Sequence, residues 1–148
     1  MGIPVLILGE SGSGKSCSLR NFNKEDLVVY NVAGKPLPFR KQLNVADNVS
    51  YTQIRSNMAK GNFKTYVIDD SQYLMAFEMF DRAKELGYNK FTDVALNFRN
   101  LVDFVIKNTP KDTIVYFLHH TETSDTGKIK AKTSGKMLDN QLTLEGLF

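Results

Sequence analysis

Apolar residues along this chain fall into four short runs, each closed by glycine or polar positions: Ile3–Leu8 (IPVLIL), Leu27–Tyr30 (LVVY), Lys64–Asp70 (KTYVIDD) and Thr113–Leu118 (TIVYFL). None alternates strictly with polar residues. Such Val/Ile/Leu-rich runs mark strands covered on both faces, the habit of parallel sheets. Helical signals lie between them. Lys15 to about Phe22 reads as a short helix, and Gln53–Lys60 as another, stopped by Gly61 at the position after its C-cap. Ser71 is placed to cap a helix running to about Leu86, with Gly87 behind it. Thr92 is placed to cap the next, in which Val94, Phe98, Leu101, Val102 and Val105 share one face and Asn108-Thr109-Pro110 ends the run. Tyr73, Phe77 and Phe80 also fall at helical spacing and are read as core. Asn31–Asn48, with Gly34, Pro36 and Pro38, has no period and reads mostly as loop, while Val49–Thr52 suits a brief strand. Residues 121–136 are polar and read as a mobile loop, and 137–148 as weakly helical. Strands alternating with helices predict an α/β fold with a largely parallel sheet. No linker or repeat divides the chain, so 1–148 is read as a single domain.

Composition narrows the picture further. The 148 residues suit one domain with one core, and 42% hydrophobic with 24% charged residues is ordinary for a globular chain. The single cysteine, Cys17, excludes an internal disulfide framework and a multi-cysteine metal cluster. It is read as a small buried residue rather than a nucleophile. No apolar run approaches the roughly 18 residues of a membrane span. The strand-like start leaves no room for a signal peptide, so the expected location is the cytoplasm. The net charge is +3, from 19 Lys+Arg against 16 Asp+Glu. Lys128, Lys130, Lys132 and Lys136 contribute four of those positive charges within 128–136, a segment without acids, so the remainder sums to −1. The charge total describes one basic segment on a near-neutral body.

The first strand runs into Gly9-Glu10-Ser11-Gly12-Ser13-Gly14-Lys15-Ser16, which fits G-x-x-x-x-G-K-[ST] without mismatch. The pattern has a mechanism. Gly9, Gly12 and Gly14 let the backbone turn successive N–H groups inward as an anion nest, and the helix that follows aims its N-terminus at the same place. Lys15 then reaches the β- and γ-phosphates, and the Ser16 hydroxyl serves Mg²⁺. Gly9, Gly12, Ser13, Gly14, Lys15, Ser16 and Cys17 are the expected nucleotide contacts. A second carboxylate near the metal is expected at a strand tip, and Tyr66-Val67-Ile68-Asp69-Asp70 supplies it. Asp69 is the candidate Mg²⁺-side acid. Asp70 is the candidate base for an attacking water, or with Asp69 merely a cap for the following helix.

GESGSGKS, YVIDDSQYL, FLHHTE and GKMLDNQLTLEG, in that order, resemble the RecA-like/AAA+ branch of P-loop NTPases. More narrowly they are similar to phage-encoded RecA-like ATPases of single-strand annealing and recombination. The resemblance implies a three-layer sandwich with sheet order 5-1-4-3-2, ATP with Mg²⁺, and assembly into a homo-oligomeric ring or filament. For a phage protein the compartment is the host cytoplasm. A glutamate is the more usual base in hydrolytic relatives. In this class a polar residue at the tip of the fourth strand senses the γ-phosphate, and His119 and His120 stand there on opposite faces. His120 is the preferred candidate. The class also carries a DNA-contacting loop where 121–136 lies, making Lys128, Lys130 and Lys132 candidates for tracking single-stranded DNA phosphates. A solvated hairpin and a lysine reaching a neighbouring subunit's phosphate remain open, and the loop lacks an aromatic residue for base stacking. Any arginine finger must be Arg20, Arg40, Arg55, Arg82 or Arg99. A small P-loop kinase and a non-catalytic nucleotide-binding module are the competing readings. The fifth strand expected after 137–147 has no sequence left, so the chain is expected to be one core strand short, truncated at its C-terminal end, with the first strand an open edge.

Overall fold

The computed structural model describes residues 1–134 and 143–148. Five parallel strands form its centre: β1 (Ile3–Gly9), β2 (Leu27–Asn31), β3 (Asn44–Asp47), β4 (Thr65–Asp69) and β5 (Ile114–Thr123), in the order β1-β5-β4-β2-β3. A short β6 (Ile129–Ala131) folds back antiparallel on the end of β5. The four strands read from apolar runs take the relative order implied by the resemblance. β3 is an addition at the far edge. It lies inside the stretch read as loop, and the strand expected at Val49–Thr52 is absent.

Ser50 explains that displacement. Its hydroxyl accepts the Gln53 N–H while the Gln53 side chain accepts the Ser50 N–H, a capping box that starts α1 (Tyr51–Ala59). Tyr51 and Thr52 therefore enter a helix despite their β-forming side chains. α2 (Gln72–Asp81) is shorter than expected. Ser71 sits in helical φ/ψ and makes no side-chain cap; its hydroxyl turns inward to the Leu118 carbonyl and His119. α3 (Asn89–Asn108) begins before Thr92, which is an interior residue and no cap. Arg82 accounts for the tight join between these helices. Its guanidinium donates to Glu78, Glu85 and Asp93, tying the end of α2 to the first turns of α3.

Strand parity divides the core into two layers. Val28, Tyr30, Tyr66, Ile68, Val115 and Phe117 face α1–α3, where the stripe Val94, Phe98, Leu101, Val102 and Val105 is buried as the spacing predicts. Leu27, Val29, Val67 and Leu118 face the other way. They are covered by Leu19 from a 3₁₀ turn (Ser16–Asn21), by Phe22 just after it, and by Leu37, Phe39 and Leu43 from the irregular segment before β3. Among the described residues, the second face thus carries a loop-built layer and no α-helix. Of Tyr73, Phe77 and Phe80, all read as core, Tyr73 packs partly buried against the helix-side cluster, while the other two do not. Phe77 and Phe80 are 41% and 77% exposed, and the buried face of α2 is set by Leu74 and Met75, one position over. Among the described residues β1 pairs only with β5, leaving its outer side open. No described helix is long and apolar enough to cross a membrane.

Candidate functional site

Four neighbouring strands end at one crevice. The register aligns Asn31 with Asp69 and Asp69 with Leu118, so β2 and β4 end level, while β1 and β5 run on past them, Gly9 pairing with His120. Ligands bind in α/β sheets at such carboxyl-end crevices. A cavity of about 290 Å³ opens there, lined among others by Gly12, Lys15, Ser16, Asp69, Asp70 and His120.

The glycine loop is held by its own groups. Ser13 N–H bonds the Glu10 carbonyl at 3.1 Å, and Gly12 and Gly14 have φ of +78° and +97°, where side-chain-bearing residues are strained. A Cβ on Gly9 would collide with the Ser13 hydroxyl. Ser11, Gly12 and Gly14 of this loop line the cavity. Lys15 Nζ donates to the Gly9 and Glu10 carbonyls at 2.8 and 2.9 Å, and burial lowers its pKa against the opposing pull of Asp70 and Asp69. The expected helix after the loop is only the six-residue 3₁₀ turn, so a long helix dipole does not contribute. Cys17 is half-buried in that turn beside the cavity, not enclosed as expected, and Arg20 reaches its sulfur at 3.6 Å.

Ser16 Oγ donates to both Asp69 carboxylate oxygens, at 3.0 and 2.8 Å, across 53 residues of sequence. Burial raises the Asp69 pKa, partly offset by the Ser16 hydrogen bond. A buried carboxylate beside a hydroxyl offers hard oxygen donors. Among the described residues no three His, Cys, Asp or Glu side chains cluster to hold a metal by themselves. Two protein oxygens completed by waters and phosphates is how Mg²⁺ is commonly bound, so these residues fit that ion.

Asp70 stands one residue on, with φ of +58°, a conformation that costs energy in a non-glycine residue and recurs at functional sites. Its Oδ1 lies 3.1 Å from His120 Nε2 and its Oδ2 4.0 Å from Lys35 Nζ. Burial lowers the His120 pKa, with Lys15 next in effect, so the neutral ring donates to the Asp70 carboxylate. Parity sends His119 to the opposite face. There it is fully buried, its Nε2 2.7 Å from the Lys132 carbonyl and its Nδ1 2.8 Å from the Ser71 hydroxyl. A carbonyl only accepts, so Nε2 carries the proton and Nδ1 accepts from Ser71.

Burial lowers the His119 pKa from 6.5 to about 4, with His120 and Lys15 acting the same way and the Lys132 carbonyl and Glu145 opposing. Between those two values the unfolded chain binds a proton that the folded chain refuses. Stability is unaffected by this group above pH 6.5 and falls as pH drops toward 4, by roughly 3 kcal/mol in all. Asp69, with a raised folded pKa, works in the opposite sense in its own window. Urea unfolding at pH 7 and pH 5 is expected to show this loss, with a smaller pH difference in His119→Gln. An unchanged difference in that variant would remove His119 as its source.

The lysine segment forms the β5–β6 hairpin and not an unstructured loop. Lys128 and Lys132 are exposed, whereas Lys130 Nζ lies 3.5 Å from Glu122 across the ladder. The run is acid-free in sequence but not in space. Lys136, the weakly helical reading of 137–142 and most of the GKMLDNQLTLEG segment lie outside the described residues; Leu144–Leu147 forms a 3₁₀ turn.

Three residues of this neighbourhood carried no sequence signal as chemistry. Asn31 is buried at the tip of β2 and binds the Lys35 carbonyl through its side chain. Gln72 Oε1 accepts the His120 N–H at 3.1 Å. Lys35, in a Gly-Lys-Pro turn, lines the cavity. Only the position of Gly34-Lys35-Pro36 just past a strand tip pointed there. No protein-family model and no curated protein sequence matches this chain.

Proposed function

We propose that the chain is a P-loop protein of RecA-like type that binds ATP with Mg²⁺ at the tips of β1, β4 and β5 and hydrolyses it. One observation carries the reading: the Ser16 hydroxyl and Asp69 carboxylate meet within 3.0 Å in the cavity that Lys15 and the glycine loop also line. Ser16 and Asp69 would hold Mg²⁺, which would supply positive charge to offset that developing on the phosphates. Lys15 exchanges the Gly9 and Glu10 carbonyls for the phosphates. Asp70 holds the attacking water and accepts its proton as the new oxygen–phosphorus bond forms and the bond to ADP breaks. His120 fixes the Asp70 carboxylate and faces the terminal phosphate.

The proposal extends to single-stranded DNA at the hairpin. The hairpin is fastened to the crevice: Lys132 N–H donates to the His120 carbonyl at 2.9 Å, and the Lys132 carbonyl accepts from His119, which Ser71 in turn engages. A shift at Asp70-Ser71 is thereby transmitted to the backbone that carries Lys132. Phosphate release from ATP, measured with and without single-stranded DNA in low salt, tests both parts. Mg²⁺-dependent release that stops with EDTA and changes severalfold with DNA is the expected result. A protein that neither binds nor cleaves ATP overturns the reading, and turnover indifferent to DNA overturns the coupling.

A further inference from the structure

Lys35 belongs to no part of the loop motif, yet the fold brings it to the same crevice. The turn after β2 is fixed from several sides. Gly34 N–H and Asn48 N–H both donate to the Asn31 carbonyl, at 3.3 and 3.0 Å, and the Asn31 side chain donates to the Lys35 carbonyl. Pro36 follows directly and lines the cavity with it. The Lys35 backbone is thus held in place while its side chain extends inward, Nζ 5.5 Å from the centre of the Tyr73 ring. Tyr73 in turn packs edge-on to His120, ring centres 6.1 Å apart.

The ammonium ends 4.0 Å from Asp70 Oδ2. That is the outer limit of an ion pair, and the lysine side chain is 60% exposed against 14% for the carboxylate. Such a contact is weak and easily exchanged. The two Asp70 oxygens are unequally engaged, with Oδ1 on His120 at 3.1 Å. Lys35 therefore rests against the one carboxylate oxygen that His120 leaves available.

We infer that Lys35 is a second phosphate-binding cation, which leaves Asp70 for the terminal phosphate of a bound nucleoside triphosphate and so frees Asp70 Oδ2. The inference rests on the nucleotide reading above. Under that reading Asp70 faces the water that attacks the terminal phosphate, so an ammonium beside Asp70 lies at the γ end of the site. Lys15 sits at the loop end. A diphosphate, ending short of Asp70, leaves Lys35 where it is. Lys35 thus discriminates ATP from ADP, and it couples the presence of the third phosphate to release of the base. A guanidinium can make the same phosphate contact, whereas an amide supplies no charge.

Calorimetric titration of a non-hydrolysable ATP analogue and of ADP, each with Mg²⁺, tests this on wild type, Lys35→Gln and Lys35→Arg. Loss of one charge-assisted contact corresponds to about a tenfold or greater weakening. Lys35→Gln is expected to lose that much for the triphosphate and less than about twofold for ADP, with Lys35→Arg close to wild type. Melting temperature serves as the folding control, and the exposure of this side chain predicts little change. Equal losses for the two nucleotides, or no loss for either, overturn the role of Lys35 while leaving nucleotide binding intact. A wild-type protein that binds neither nucleotide overturns the nucleotide reading and this inference together.

Discussion

Lys15→Ala is expected to weaken Mg²⁺-ATP binding by about a hundredfold or more, with the melting temperature nearly unchanged. The ammonium already occupies two carbonyl acceptors, Gly9 and Glu10, at 2.8 and 2.9 Å, so the side chain is preorganised over the loop before any ligand arrives. Under the proposed function it exchanges these two carbonyls for two phosphate oxygens, and its replacement removes both of those contacts. Charge-assisted hydrogen bonds to phosphate oxygens are worth about 1.5–3 kcal/mol each, and two of them amount to a hundredfold at the lower bound. The loop also loses the strut between Lys15 and its own first residues. Fold stability is little affected, because Lys15 is only half-buried and belongs to neither apolar cluster. Titration of Mg²⁺-ATP against wild type and variant reads the difference. Equal affinities would remove Lys15, and the glycine loop with it, from any account of ligand binding.

Phe98→Ala acts at the opposite extreme, on the fold. Phe98 is fully buried on the inner stripe of α3, its ring centre 5.9 Å from both Phe117 and His119, two residues further along β5. Truncating a fully buried phenylalanine removes its transfer energy and leaves a cavity, together about 3–5 kcal/mol. At roughly 2–4 °C per kcal/mol for a domain of this size, the melting temperature should fall by about 6–20 °C. The vacated ring also faces His119, so the hydrogen bonds that join Ser71 to the Lys132 carbonyl lose their packing support. Thermal unfolding followed by circular dichroism measures the stability change. A drop of less than about 1 kcal/mol would mean that α3 packs on the sheet through other residues.

Much of the crevice was legible because its parts are local. The glycine loop is one contiguous motif, and the acids follow an apolar run. Parity alone separates the two histidines onto opposite faces; the structure places His120, the preferred one, at the cavity and His119 in the core. β3 was hidden because Asn-Val-Ala-Asp carries little hydrophobic signal; an edge strand is held by its ladder to β2 more than by burial. The start of α1 was readable in principle from Ser50 and Gln53, three apart, but Tyr51 and Thr52 mimic a strand. α2 defeated the helical spacing for a different reason. It is apolar nearly all round, so Tyr73, Phe77 and Phe80 look as suited to a core as Leu74 and Met75, and only the sheet decides between them. Lys35 and Glu122 show the remaining gap. Each acquires its role from a residue distant in sequence or across a hairpin, Asp70 in one case and Lys130 in the other.

The open side of β1 has a built-in restraint. Ile3 N–H bonds the Thr113 carbonyl, so odd-numbered residues of this strand direct their amides toward β5 and even-numbered ones point outward. The first outward position is Pro4, which has no amide hydrogen. Only Leu6 and Leu8 offer donors on that side, both near the glycine loop. An extended segment approaching this rim therefore finds a foothold next to the glycine loop and none at the start of the strand. That asymmetry guards the start of the strand against edge-to-edge pairing and leaves main-chain donors only at its loop end.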